Sequence, residues 1–180
     1  NGALMNLKAE IPHWDFNKTL KETKEKWNKE LSKIEVTTLN ENDKINFYTA
    51  LYHTYLSPII YEDVDGKYRG LDQNIHRSEG FINYTVFSLW DTYRALHPLY
   101  NIIQPKRNND MIKSMLAHYD QSVHNMLPIW SHYANENWCM IGYHAVSVIA
   151  DAIIKKVCDL HSEHAIKAGV NTATVRYLAR

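Results

Sequence analysis

Two short stretches of the chain combine residue types that can grip a polar, many-hydroxyl ligand. In FSLWDTYRALHPLY (residues 87–100), Trp90, Asp91 and Arg94 stand close together beside a proline. In ANENWCM (residues 134–140), Asn135, Glu136, Asn137 and Trp138 are contiguous. An indole offers a flat apolar face, a carboxylate accepts hydrogen bonds, and a guanidinium donates several in a fixed fork. Asp91 and Arg94 are three residues apart, so an ordinary ion pair on a helix surface also explains them. For residues 134–140 the plain alternative is a capping segment ahead of the helix that follows. Asp91 and Glu136 could in principle be the paired carboxylates that cleave a glycosidic bond, but a sequence carries no distance between them.

Composition narrows the ligand class. Twelve Tyr and five Trp supply rings with an apolar face and a polar edge, which suits stacking on a sugar while its hydroxyls are hydrogen-bonded. Twenty basic residues balance twenty acidic ones, which argues against electrostatic capture of nucleic acid. No apolar run is long enough to cross a bilayer. A phosphate-cradling glycine loop, a Gly-x-Ser-x-Gly elbow and a His-Glu-x-x-His pair are all missing. Among ten histidines the densest group is HSEH (residues 161–164), which has no evident third metal ligand and reads as a surface helix. Asp63 and Asp65 beside Gly66 have turn chemistry and lack the further oxygens of a calcium loop. Cys139 and Cys158 show neither metal nor redox spacing and read as small buried residues.

The elements that must position these groups are mostly helical. Asp15 opens a helix whose apolar side carries Phe16, Leu20, Trp27, Leu31 and Ile34. A second helix, capped by Asn40 or Asn42, carries Ile45, Tyr48, Leu51, Tyr52 and Tyr55 and stops by Ser57-Pro58. Asp65-Gly66 between extended flanks predicts a tight hairpin. A helical pattern runs from Ser88 toward Gln104-Pro105, with Pro98 expected to kink or divide it. Asn108 or Asn109 would cap the next helix. Residues 126–144 read as a polar, aromatic loop over a cavity, and residues 142–156 as a helix too apolar for one-sided burial. A last helix begins in HSEH. The expected fold class is therefore all-α, a single domain of antiparallel helices over residues 1–180 with one small hairpin.

The two candidate stretches, with their neighbours, resemble a known family. FYTALYHT (47–54), EDVDGKYRGLD (62–72), FINYTVFSLWDTYRALHPL (81–99) and MLPIWSHYANENWCMIGYH (126–144) are similar to the calcium-dependent α-mannosidases of glycoside hydrolase family 92. VIADA and the opening AEIPHWDFNKTLKETKEKWNKELSKI extend the likeness over most of the chain.

This resemblance implies a β-sandwich followed by an (α/α)6 barrel, with this stretch as the first part of the barrel. The implied reaction is removal of terminal mannose from α-mannosides, such as N-glycans or mannans, with inversion and with the help of calcium. Trp90 would wall the sugar, Asp91 would accept its hydroxyls, and Arg94 would hold Asp91 ionised. Asn135, Glu136 and His144 would line the same pocket. The family's general acid lies in a later Glu-Gly-Asn-Ala-Trp-Gln-Tyr motif and its base in a still later paired-Asp motif. Neither occurs before Arg180, so Glu136 is expected to be a pocket residue rather than the acid. No catalytic residue is assigned within the chain, calcium ligands are expected largely outside it, and the chain alone is expected to be inactive.

The opening NGALMNLKAE lacks both an initiating methionine and the order of a signal peptide, which suggests an excised piece. Its partners would then be α-mannoside glycans and the remaining parts of the same enzyme. The family's usual role implies the periplasm or cell exterior. The competing expectation is a stand-alone helical module that binds carbohydrate, or another partner, without catalysis.

Overall fold

The computed structural model describes residues 2–158 and 162–175. Its internal contacts divide the chain into two compact units, residues 1–57 and 58–180. Among its described residues the first contains three helices: α1 (Gly2–Glu10), α2 (Phe16–Leu31) and α3 (Glu41–Thr54). Helix α1 buries no residue, so no apolar stripe announces it in the sequence. Asp15 caps α2 as expected, its side chain accepting from the Lys18 N–H at 3.0 Å. Asn40 does the same for α3 through the Asn42 N–H. Trp27 joins the two helices, its ring 4.6 Å from Tyr52 and 6.3 Å from Tyr55.

The second unit departs from the all-α expectation. Among its described residues are five helices: α4 (Leu89–Thr92), α5 (Leu96–Ile103), α6 (Pro105–Gln121), α7 (His144–Ile154) and α8 (Ser162–Thr174). Among the described residues five strands precede α4 and two lie between α6 and α7: β1 (Ile59–Ile60), β2 (Lys67–Arg69), β3 (Ile75–Arg77), β4 (Tyr84–Thr85), β5 (Phe87–Ser88), β6 (Trp130–His132) and β7 (Asn135–Glu136). They pair antiparallel as β1–β4, β2–β3 and β5–β6–β7. Two or three residues are too few to show the alternation that announces a strand. Residues 126–144, expected to be a loop, thus contain a strand pair.

The β2–β3 hairpin turns at Gly70–Asn74, not at Asp65-Gly66. There the Gly70 N–H donates to the Asn74 carbonyl, and Gln73 takes a φ of 66°. Asp65-Gly66 forms a separate turn just before β2. Gly66 has a φ of 79°, and the Asp65 carboxylate accepts from the Lys67 N–H and Nζ.

The helical run from Ser88 does divide. The break falls at residues 93–95, which leaves Pro98 in the first turn of α5, where a missing N–H costs nothing. Pro105 likewise opens α6 rather than closing its predecessor. Neither Asn108 nor Asn109 is the cap. Asn108 is wholly buried inside α6, 2.7 Å from His97 Nδ1, and its Nδ2 donates to Asn101 at 2.7 Å. Asn101 in turn donates to Asp151 at 2.8 Å, so one polar chain ties α5, α6 and α7 together.

Around that chain the core gathers Tyr100, Met111, Ile112, Met115, Leu116, Val148 and Ile149. Helix α7 buries Ala145, Val148, Ile149 and Ala152 while Ile154 stays 79% exposed, so it is covered less evenly than its apolarity suggested. The cysteines also differ from expectation, Cys139 being exposed and Cys158 partly so.

Candidate functional site

The sheet β5–β6–β7 brings the two candidate stretches together. Phe87 pairs with Ser131 and Ser88 with Trp130, while Ser131 and His132 pair with Glu136 and Asn135. Phe87 and Leu89 are completely buried, which pins this end of the sheet to the core. Helix α4 leaves β5 with no intervening loop, so Trp90 and Asp91 lie only two and three residues after Ser88.

Asp91 is exposed, and the Ser88 hydroxyl donates to its carboxylate. Arg94 does not pair with it. Its guanidinium carbon lies instead 5.7 Å from the centre of the Trp90 ring and 5.3 Å from that of Tyr93. The reason is local: α4 ends at Thr92, so the three-residue spacing no longer places Arg94 above Asp91 on one helix face. Arg94 therefore steadies the aromatic wall through its charge and planar face.

His144 opens α7 and completes that wall. Its ring stacks on Tyr93 at 4.1 Å with an interplanar angle of 12°, and meets Trp90 edge-on at 5.3 Å. Its Nε2 is buried and has no hydrogen-bond partner. Gly142 makes room for the ring. Gly142 has a φ of 89°, and a Cβ added there would fall 2.5 Å from His144 Nε2. Gly142→Ala is accordingly expected to push His144 off Tyr93 and to cost about 1–3 kcal/mol in backbone strain. A lowered melting temperature and loss of the ring-current shifts at residue 144 in NMR would report it. Unchanged ring shifts would refute it.

Glu136 is committed to shaping its loop. One carboxylate oxygen accepts from the N–H groups of Trp130 at 2.9 Å and Trp138 at 3.1 Å, the other from that of Ile129 at 2.9 Å. Neighbouring Asn135 is exposed, with no side-chain partner among the described residues. Val86, Tyr133 and Trp138, which flank the sheet, take φ values of 63°, 53° and 54°. Such conformations are strained for these residues, above all for branched Val86. The β2–β3 turn reaches over to help, with Gln73 Nε2 donating to the Ala134 carbonyl at 2.7 Å.

Ser88, Tyr93, Gly142 and Gln73 thus join the six residues singled out from the sequence. A glycine ahead of a helix was the single visible signal among them. Among the described residues, no group of three or more His, Cys, Asp or Glu is placed to hold a metal ion. In HSEH, His161 lies outside the described residues, and His164 lies 3.0 Å from Asp120. No helix among the described residues is long and apolar enough to cross a membrane.

Comparison with known proteins connects this geometry to a family. The model of the glycosyl hydrolase family 92 catalytic domain matches residues 2–180. A family GH92 α-mannosidase from Bacteroides thetaiotaomicron is 53% identical, with a TM-score of 0.93 over 98% of this chain and 24% of its own. The same enzyme has been solved in complex with mannoimidazole. A family GH92 inverting mannosidase from Bacteroides thetaiotaomicron VPI-5482 is 27% identical, with a TM-score of 0.89 over 99% of this chain and 24% of its own. No curated protein matches the chain. The chain spans about a quarter of the length of these solved structures, 24% in each case. With that match over residues 2–180 and that identity, the chain belongs to the catalytic domain of glycosyl hydrolase family 92.

Proposed function

We propose that the chain is the opening part of the (α/α)6 barrel of an inverting exo-α-mannosidase, and that it supplies sugar-gripping residues to the active site. The observation that carries this reading is the 53% identity, over 98% of the chain, to an α-mannosidase solved with mannoimidazole. Inversion enters by likeness to the second relative, whose printed description includes it.

In this reading Trp90 and Asp91 face the sugar, the indole against its C–H face and the carboxylate accepting from its hydroxyls. Arg94 and His144 hold Trp90 in place, and Glu136 sets the loop that presents Asn135. A calcium ion, when bound, would supply positive charge to sugar oxygens, with ligands drawn from other parts of the enzyme. The substrates are terminal α-mannosides of N-glycans or mannans, met in the periplasm or outside the cell.

The test uses the longer enzyme that contains this chain. Asp91→Ala is expected to lower kcat/KM on an aryl α-mannoside by about one to two orders of magnitude, the worth of hydrogen bonds to a charged acceptor. Because Asp91 is exposed, folding should be unaffected. Unchanged kcat/KM would remove Asp91 from the site. Mannoside binding without turnover in the longer enzyme would favour the non-catalytic binding module.

A further inference from the structure

The turn that joins β6 to β7 is not one its own residues favour. His132 pairs with Asn135, so only Tyr133 and Ala134 lie between the strands, and Tyr133 takes a φ of 53°. Two-residue hairpin turns that need a positive φ ordinarily place Gly, Asn or Asp there. A tyrosine in that conformation is strained and persists only where surrounding contacts fix it.

Those contacts come from far back along the chain. Gln73 Nε2 donates to the Ala134 carbonyl at 2.7 Å, across a separation of 61 residues. The Tyr61 ring meets that of Tyr133 edge-on at 5.2 Å. Gln73 is itself firmly placed. Its φ is 66°, and its N–H donates to the Gly70 carbonyl at 2.9 Å. The neighbouring Asp72 carboxylate accepts from the Asn74 N–H at 3.0 Å and from Asn74 Nδ2 at 2.9 Å, and lies 2.9 Å from His76 Nε2. Gly70 lets this turn sit against α6, since a Cβ there would fall 2.7 Å from Gln121 Oε1. One side-chain amide thus locks together two turns that each carry a residue at positive φ.

Asn135 is the residue directly after that lock. Its side chain is exposed and has no partner among the described residues, so its direction is set by the backbone of the turn. An amide whose backbone is already fixed loses less freedom when a ligand orders it. Glu136 holds the following residues through its backbone N–H contacts, and Gln73 holds the preceding ones.

We propose that Gln73 is a positioning residue for sugar binding: by holding the Ala134 carbonyl it fixes the direction in which Asn135 is presented to the mannoside. This rests on the mannosidase reading, in which Asn135 lines the sugar site. It adds a residue that acts through Asn135.

The experiment measures KM and kcat on 4-nitrophenyl α-mannoside in the longer enzyme carrying Gln73→Gly, Gln73→Glu or Gln73→Lys, with a melting curve for each. Glycine accepts a φ of 66° freely, so Gln73→Gly removes the amide without straining its turn. Glutamate matches glutamine in size but has no donor when ionised, whereas lysine restores one. KM is expected to rise about threefold to tenfold with Gly and Glu, as for one lost hydrogen bond, and less than about twofold with Lys, at unmoved melting temperatures. In an Asn135→Ala background, Gln73→Gly should add less than about twofold, because the two residues act as one unit. A KM that Gly and Glu leave unchanged overturns the proposal while the mannosidase reading stands. An equal loss in all three variants overturns it too, marking a merely structural role. A loss that persists in full without Asn135 places the action elsewhere and is equally fatal. If the unsubstituted enzyme does not cleave the mannoside, both readings fail.

Discussion

Extension of the chain through the family's later acid and base motifs is expected to raise hydrolysis of an aryl α-mannoside from background by about a millionfold or more, the lower end of enzymatic acceleration. Cleavage with inversion needs a carboxylic acid on the leaving oxygen and a carboxylate opposite to activate water. Here the two leading carboxylates already accept hydrogen bonds within the chain. Asp91 accepts from Ser88, and Glu136 has both oxygens on backbone N–H groups. A carboxylate spent on three N–H donors is poorly placed to give up a proton to a glycosidic oxygen. Holding mannose in its ground state does not lower the barrier either. Residues 1–180 are therefore expected to bind mannose weakly at most and to turn over nothing, with or without added calcium. The control is Glu136→Gln. It should keep some of the backbone hydrogen bonds and lower the melting temperature modestly. Turnover by residues 1–180 that vanishes in this variant, at an unchanged melting temperature, would make Glu136 the acid and overturn the assignment.

Acidification from pH 7 to pH 4 is expected to remove most of the stability of residues 58–180. Burial holds His97 down at about 4 against an ordinary 6.5, with the hydrogen bond to Asn108 opposing in part. Burial alone holds His118 down at about 4, in the core against Phe87. Both histidines are thus neutral when folded and readily protonated when unfolded. Their stabilising contribution is fully present above pH 6.5 and is lost as the pH falls toward 4, because the unfolded chain takes up protons that the folded one refuses. Each shift corresponds to about 3 kcal/mol, and the two together rival the net stability of a typical domain. Urea midpoints measured by circular dichroism from pH 7 to pH 4 would show the decline. His118→Leu should reduce its slope by about half, since only His97 would remain. A midpoint that is flat between pH 6.5 and 4.5 would refute the argument.

What the sequence determined by itself was local. Asp15 and Asn40 are caps whose side chains bond an N–H two or three residues on, so residue type and position suffice to find them. Residue types and the family resemblance singled out six candidate residues, and of these Trp90, Arg94 and His144 meet in one ring cluster. Beyond the extended flanks read around Asp65-Gly66, one of which holds β2, the described strands were not legible, because each is two or three residues long and β1–β4 and β5–β6 pair across long separations. Tyr84 and Phe87 are buried, β4 packing on α6 and the Phe87 ring on His118 of α6, and no local pattern encodes such burial. Roles changed for the same reason. Arg94 moved from Asp91 to the aromatic wall because α4 stops after a single turn. Glu136 became the anchor of its loop because the return of β7 along β6 brings three N–H groups to one carboxylate. Residue type set which chemistry was available. Only the tertiary structure decided which partner each group took, since hydrogen bonds and ring contacts act over a few ångströms that separation along the chain does not measure.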